Sequence, residues 1–331
     1  MSAGIEPLPR IELHLHLDCS LSYKVVARIN PAISEAQYRN TFVAPRKCSS
    51  LVEFLTHSPH GFRLMQSKAQ LRLVVEDLFE QLAADGVIYA EIRFAPLLHL
   101  EQGLKPEEVV EAVDEAVKDC ILRTGIEARL ILCTLRHYTT AQSLETAELV
   151  SNFRGSRVVA LDIAGDEAGY LLAPHKPAFD YAHEHGLYIT AHAGEAAGPS
   201  SVWETLRDLC PMRIGHGIRS AEDPELLAVL RDKGIHLEVC PSSNVQTSVC
   251  GALRDHPVDQ LYKAGVSLGI NTDTRTITDT TLEREYRELS RAFGWGREQF
   301  LRCNQEALRA AFLPEGSKRE LQRKITAASQ S

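Results

Sequence analysis

Ile11-Glu12-Leu13-His14-Leu15-His16-Leu17-Asp18 alternates apolar and polar residues with a period of two, the pattern of a β-strand. Side chains two apart share a strand face, so His14 and His16 are expected to point the same way, alongside Glu12 and Asp18. Imidazoles paired on one face, followed by a carboxylate, are hard to explain as packing and suit half of a metal site. Whether the stretch is such a half depends on what the rest of the chain brings to it.

The rest of the chain repeats one unit. Strands are expected at Val87 to Phe94, Ile126 to Leu132, Arg157 to Ile163, Leu187 to His192, Met212 to His216, Ile235 to Cys240 and Val266 to Asn271. Helical patterns separate them: Pro106 to Arg123, Thr140 to Asn152, Pro177 to His185, Ser200 to Leu209, Asp223 to Lys233 and Val258 to Ala264. Gly186, Gly234 and Gly265 stop three of these helices. Strands alternating with helices are parallel, joined by crossovers. Counting the opening strand, the reading gives a (β/α)8 TIM barrel. It carries a helical insertion after strand 1, from about Ile33 to Leu82, and extra C-terminal helices at Leu282 to Phe293, Arg297 to Phe312 and Ser317 to Ala328. A doubly wound open sheet would usually place a Gly-rich phosphate turn after its first strand. Asp18-Cys19-Ser20 stands there instead. With no composition shift along its length, residues 1–331 are expected to form a single domain.

The net charge of −8, without a Lys/Arg-rich run, argues against nucleic-acid binding. No apolar run reaches the length of a membrane span, and Met1 to Arg10 lacks the order of a signal peptide. The eight cysteines are scattered without a C-x-x-C pair, so free thiols in the cytoplasm are expected.

Catalytic side chains of such barrels sit at the C-terminal ends of strands. His192 and Glu195 follow the fifth strand, His216 the sixth and Asp273 the eighth. Imidazole and carboxylate suit zinc, which keeps one position for water when catalytic. The expected metal ligands are therefore His14, His16, His192 and Asp273, around one zinc ion. Bound zinc lowers the pKa of its water from 15.7 to roughly 7. His216 is expected beside that water, as base or charge-stabilising partner. Glu195 is placed to donate a proton, provided a dry pocket raises its pKa.

In chain order the motifs are Glu12 to Asp18, Tyr89 to Pro96, Asp162 to Glu167, His192 to Gly198, Arg213 to Gly217, Cys240 to Asn244 and Asn271 to Asp273. With them the chain resembles the adenosine deaminase family of the zinc amidohydrolase-type barrels, over nearly its whole length. The resemblance implies hydrolytic deamination of adenosine or 2′-deoxyadenosine, with hydroxide adding to C6 and ammonia leaving. It implies catalytic roles for Glu195, which protonates N1, and for His216 and Asp273, which orient the water. It implies substrate contacts from the Gly165 N–H to N3, from Asp18 to a ribose hydroxyl, and from His16 and Thr274. The insertion, with Phe54, Leu55 and Phe62, looks like the family's apolar lid.

This chain departs from the family pattern at Thr274, where a second aspartate is common, and at Cys19, where glycine is usual. Both positions adjoin base or sugar, so they bear on the choice of substrate. A 5′-modified adenosine, an N6-methyl nucleotide and adenine share the chemistry. The partner is expected to be a small purine nucleoside, bound by a monomer or homodimer. Asp166-Glu167 reads as a solvated loop pair, and the remaining histidines, His236 and His256 among them, as structural or surface residues. Tyr89 and Arg93 read as barrel-building, and Cys240 as packing. Two rival readings are a two-metal hydrolase, which would need a strand-end lysine, and a nucleoside carrier, which would lack a catalytic group.

Overall fold

The computed structural model describes residues 8–329. Eight parallel strands run β1 (Arg10–His16), β2 (Val87–Phe94), β3 (Glu127–Leu135), β4 (Val158–Ala164), β5 (Tyr188–Ala193), β6 (Arg213–His216), β7 (His236–Val239) and β8 (Leu268–Ile270), each bonded to the next. Helices join them, and their ends carry the expected signals. The helix Pro106–Thr124 opens on proline and closes on left-handed Gly125. The helix Pro224–Lys233 is capped by the Asp223 carboxylate, which accepts from Glu225 and Leu226 N–H, and ends at Gly234.

The closure between β8 and β1 is made largely by side chains. Asn271 Oδ1 accepts from Leu13 N–H at 2.7 Å and His14 N–H at 3.1 Å. Beyond it, His16 N–H donates to the Asp273 carbonyl at 2.8 Å, and Asp273 N–H to the His14 carbonyl at 3.0 Å. This seam puts Asp273 directly beside the two β1 histidines.

The alternation read from the opening stretch holds only in part. The β1–β2 register slips between Glu12 and Leu15, and the strand ends at His16 in a 3-10 turn, Leu17–Cys19. Glu12 therefore leaves the histidine face and bonds Arg275 at 2.7 Å and Thr272 N–H at 2.9 Å. Asp18 lies on the turn, beyond the strand.

Charge, rather than stacked aliphatic layers, fills the barrel beneath the site. Arg93 donates to Asp162 Oδ2 at 2.7 Å and to Glu238 Oε2 at 2.6 Å. Arg213 bonds Glu238 Oε1 at 2.7 Å and pairs with Glu91. All five of these side chains are essentially inaccessible. Removing one member of such a buried set costs about 3–5 kcal/mol, because it leaves an uncompensated charge. The C-terminal helices close the opposite mouth. Phe312 stacks 3.7 Å from the Arg213 guanidinium, and Leu308, Leu321 and Ile325 pack with Ile11 and Leu13. Tyr89 and Arg93 are thus barrel-builders, as the sequence indicates. Among the described residues no helix is long and apolar enough to cross a membrane.

Candidate active site

Strand ends gather the four expected metal ligands. His16 Nε2 lies 3.2 Å from His192 Nε2 and 3.5 Å from Asp273 Oδ1. His14 Nε2 lies 3.4 Å from Asp273 Oδ1. A zinc ion at 2.0–2.1 Å from tetrahedral ligands spaces them about 3.3 Å apart. Hydrogen bonding supports the fit. His14 Nδ1 faces Glu238 at 2.9 Å and His192 Nδ1 faces Asp162 at 3.2 Å. Each ring thus gives its proton to a carboxylate and turns a lone pair inward, as metal-binding histidines do. His14 Nε2 is buried, and the Asp273 Oδ1 it faces at 3.4 Å lies outside good hydrogen-bond geometry. Inward lone pairs beside a carboxylate oxygen repel one another unless a cation lies between them. Arg93 joins Asp162 to Glu238, so one guanidinium holds the orienting groups of both rings.

Asp273 adopts a φ of 62° and His216 a φ of 60°, sparsely populated values for non-glycine residues. At Asp273 the turn aims Oδ1 at the imidazoles while Oδ2 accepts from Ser243 Oγ at 2.7 Å. Gly215 has its place beside them because an added Cβ would lie 2.9 Å from His14 Cε1.

Glu195 stands 3.6 Å from His216 Nε2. Burial, reinforced by Asp273 and Glu167, pushes the Glu195 carboxyl well above the ordinary glutamate range. Burial, with neighbouring His14, pushes His216 well below the ordinary histidine value. The pair therefore favours a protonated acid beside a neutral imidazole. Its loop is held by Glu167, which corrects the reading of Asp166-Glu167 as a solvated pair. Glu167 is buried and accepts from Gly194 N–H at 2.6 Å, Glu195 N–H at 3.0 Å, Ala197 N–H at 2.9 Å and Ser201 Oγ at 2.6 Å. Nothing in the local sequence distinguishes it from an exposed glutamate.

A cavity of about 440 Å³ opens onto this cluster. Its wall includes the expected substrate contacts His16, Asp18, Gly165 and Thr274, with Cys19 beside them. Burial raises the Asp18 carboxyl to about 6. Gly165 has a φ of +100°, and the Thr274 hydroxyl is bonded to that of Thr278 at 2.9 Å. The insertion contributes the helices Leu51–Leu55 and Ser58–Phe62, which bring Phe54, Leu55 and Phe62 to the cavity. No lysine or arginine lines it among the described residues.

An eight-stranded barrel with imidazoles and carboxylates converging at its strand ends suits a metal-dependent hydrolase. The model for the adenosine deaminase family matches residues 9–328, and the chain belongs to that family. It is 36% identical to an adenosine deaminase from Clostridium acetobutylicum, over 96% of this chain and 97% of the relative. An N6-methyl-AMP deaminase from Arabidopsis thaliana superposes with a TM-score of 0.87 at 26% identity, covering 98% of both chains. An adenine deaminase from Arthrobacter aurescens shares the fold, with a TM-score of 0.91 at 24% identity, covering 98% of this chain and 100% of that one. The protein is an aminohydrolase acting on adenosine-like purines.

Proposed function

We propose that the protein converts adenosine or 2′-deoxyadenosine, with water, to inosine or deoxyinosine and ammonia. The observation that carries this reading is a buried carboxyl, Glu195, lining the same cavity as His16, His192 and Asp273, which converge with His14 in a group that could hold a metal ion. His14, His16, His192 and Asp273 would hold one zinc ion. Zinc, when bound, supplies a water whose pKa is lowered toward about 7. Glu195 gives its proton to N1 of the purine, which draws electrons from C6 and opens it to attack. Asp273 orients the water and takes its proton, and His216 stabilises the negative charge developing on the C6 oxygen. The proton held by Asp273 passes to the amino group, which leaves as ammonia, and the C6 hydroxyl proton returns to Glu195, so that the 6-oxo purine and the starting carboxyl are formed together.

The nucleoside is favoured over a nucleotide because a 5′-phosphate would find no guanidinium or ammonium on the cavity wall. Asp18 would hold a ribose hydroxyl, the Gly165 N–H would meet N3, and Thr274 would face N7. The insertion would act as a lid, excluding water from the reacting base. Comparing kcat/KM for adenosine, adenine, AMP and N6-methyl-AMP tests the assignment. Adenosine should lead by on the order of 10²-fold or more, the scale of discrimination a site achieves against a group it leaves unpaired. Preference for a nucleotide or for adenine would overturn it.

A further inference from the structure

His216 does not stand alone. Its Nδ1 lies 3.1 Å from Asn244 Nδ2, and Asn244 Oδ1 lies 3.2 Å from His256 Nε2. His256 Nδ1 in turn accepts from the Val258 backbone N–H at 3.0 Å. His216, Asn244 and His256 are all buried.

The direction of this chain is set at its far end. Val258 is the first residue of the helix Val258–Lys263, so its N–H has no partner within that helix. A backbone N–H can only donate, so His256 Nδ1 must be the ring's unprotonated nitrogen. Burial keeps His256 neutral, with its pKa near 3, so its one proton is on Nε2. That proton needs an acceptor, which fixes Asn244 with its oxygen toward His256 and its amide N–H toward His216. The nitrogen of His216 facing Asn244 must then accept, and the ring proton is left on Nε2, the atom that faces Glu195.

We propose that Asn244 and His256 are positioning residues that lock His216 as the Nε2–H tautomer, making it a hydrogen-bond donor to the reacting oxygen rather than the base that deprotonates the water. The lock has no slack. To accept a proton at Nδ1, His216 would need Asn244 to turn over. That would set its amide N–H against His256 Nε2–H, and His256 cannot switch tautomer while Val258 donates to it. The preformed donor suits a reaction in which negative charge develops on the oxygen added at C6. Only the kinetic consequence depends on the deaminase assignment, because the position of the ring proton can be read with or without turnover.

The test uses full-length protein labelled with 15N at histidine, the His216 signals being those lost in His216→Gln. In the wild type, Nδ1 should resonate as an unprotonated nitrogen and Nε2 as a protonated one. Asn244→Asp replaces the donor with an acceptor of the same shape, so Nδ1 should gain a proton. With it kcat should fall on the order of 10²-fold, the effect of disabling an oxyanion-stabilising donor, with metal content and KM little changed. His256→Gln retains an amide donor for Asn244 and should keep more of kcat than His256→Leu, which retains none. A protonated Nδ1 in the wild type, an unmoved Nδ1 signal or wild-type kcat in Asn244→Asp, or equal losses in the two His256 variants would each overturn the proposal.

Discussion

In the proposed chemistry Glu195 is the proton donor. Burial raises its pKa, and its carboxyl lies 3.6 Å from His216 Nε2. Glu195→Gln should keep the metal and lose about 10²- to 10⁴-fold in kcat, the range for a positioned proton donor. It should also change stability in a pH-dependent way. The folded state holds this proton more tightly than the unfolded state does. The resulting stabilisation is fully present below the ordinary glutamate value and is lost as pH rises through the raised folded value. Glutamine never ionises, so the melting temperature of the variant should gain on the wild type as pH rises through that window. Melting curves at a series of pH values measure this, and a variant that loses ground to the wild type as pH rises would contradict the burial argument. At this scale the sequence was informative. His14, His16, His192, His216, Glu195 and Asp273 are legible because each stands at the end of a strand pattern in an ordered motif. Glu167, Ser243 and Asn244 fall within the motifs and His256 outside them, but the orienting role of none of the four is legible. Each acts across a loop whose path is set by tertiary packing, and as a sequence symbol each resembles a surface residue.

Among the elements, the insertion bears most directly on substrate. The helix Ser58–Phe62 rests on the turn that carries Asp18, and the contact is made at Gly61. A Cβ added there would lie 2.2 Å from the Asp18 carbonyl oxygen, so backbone must move. Gly61→Ala should therefore displace the helix and the turn together. KM should rise on the order of tenfold, corresponding to the roughly 1–3 kcal/mol of an overpacked contact, with a smaller change in kcat. Unchanged KM would mean that this helix does not shape the substrate pocket. The opening strand shows where pattern reading stops. Period two places His14 and His16 correctly, but it cannot register the slip between Glu12 and Leu15 or the 3-10 turn after His16. Glu12 and Asp18 consequently part from the histidine face, one toward Arg275 and the other toward the cavity wall.

In the whole molecule, the barrel couples its stability to its site. The buried network of Arg93, Asp162, Glu238, Arg213 and Glu91 runs from the floor of the barrel to the two orienting carboxylates. Above it, His14, His16, His192 and Asp273 crowd lone pairs and a carboxylate into one small volume. A metal that binds the folded state alone stabilises it by RT ln(1 + [L]/Kd), about 4 kcal/mol at a thousandfold excess over Kd. Chelation should therefore lower the melting temperature as well as abolish turnover, with both restored by about one equivalent of zinc per chain. A melting temperature indifferent to chelation would argue against a metal in this cluster. The barrel itself was readable because βα units recur along the chain with helix-stopping glycines between them. Its closure was not, because Asn271 makes much of the seam with a side chain, and no periodic pattern reports that.

The central claim is hydrolytic deamination of adenosine by this site, and ammonia release from adenosine by zinc-replete protein measures it directly. The account predicts one ammonia for each 6-oxo product formed, with both lost in Glu195→Gln; zinc-replete protein that releases no ammonia from adenosine, or from any other 6-aminopurine, would contradict it.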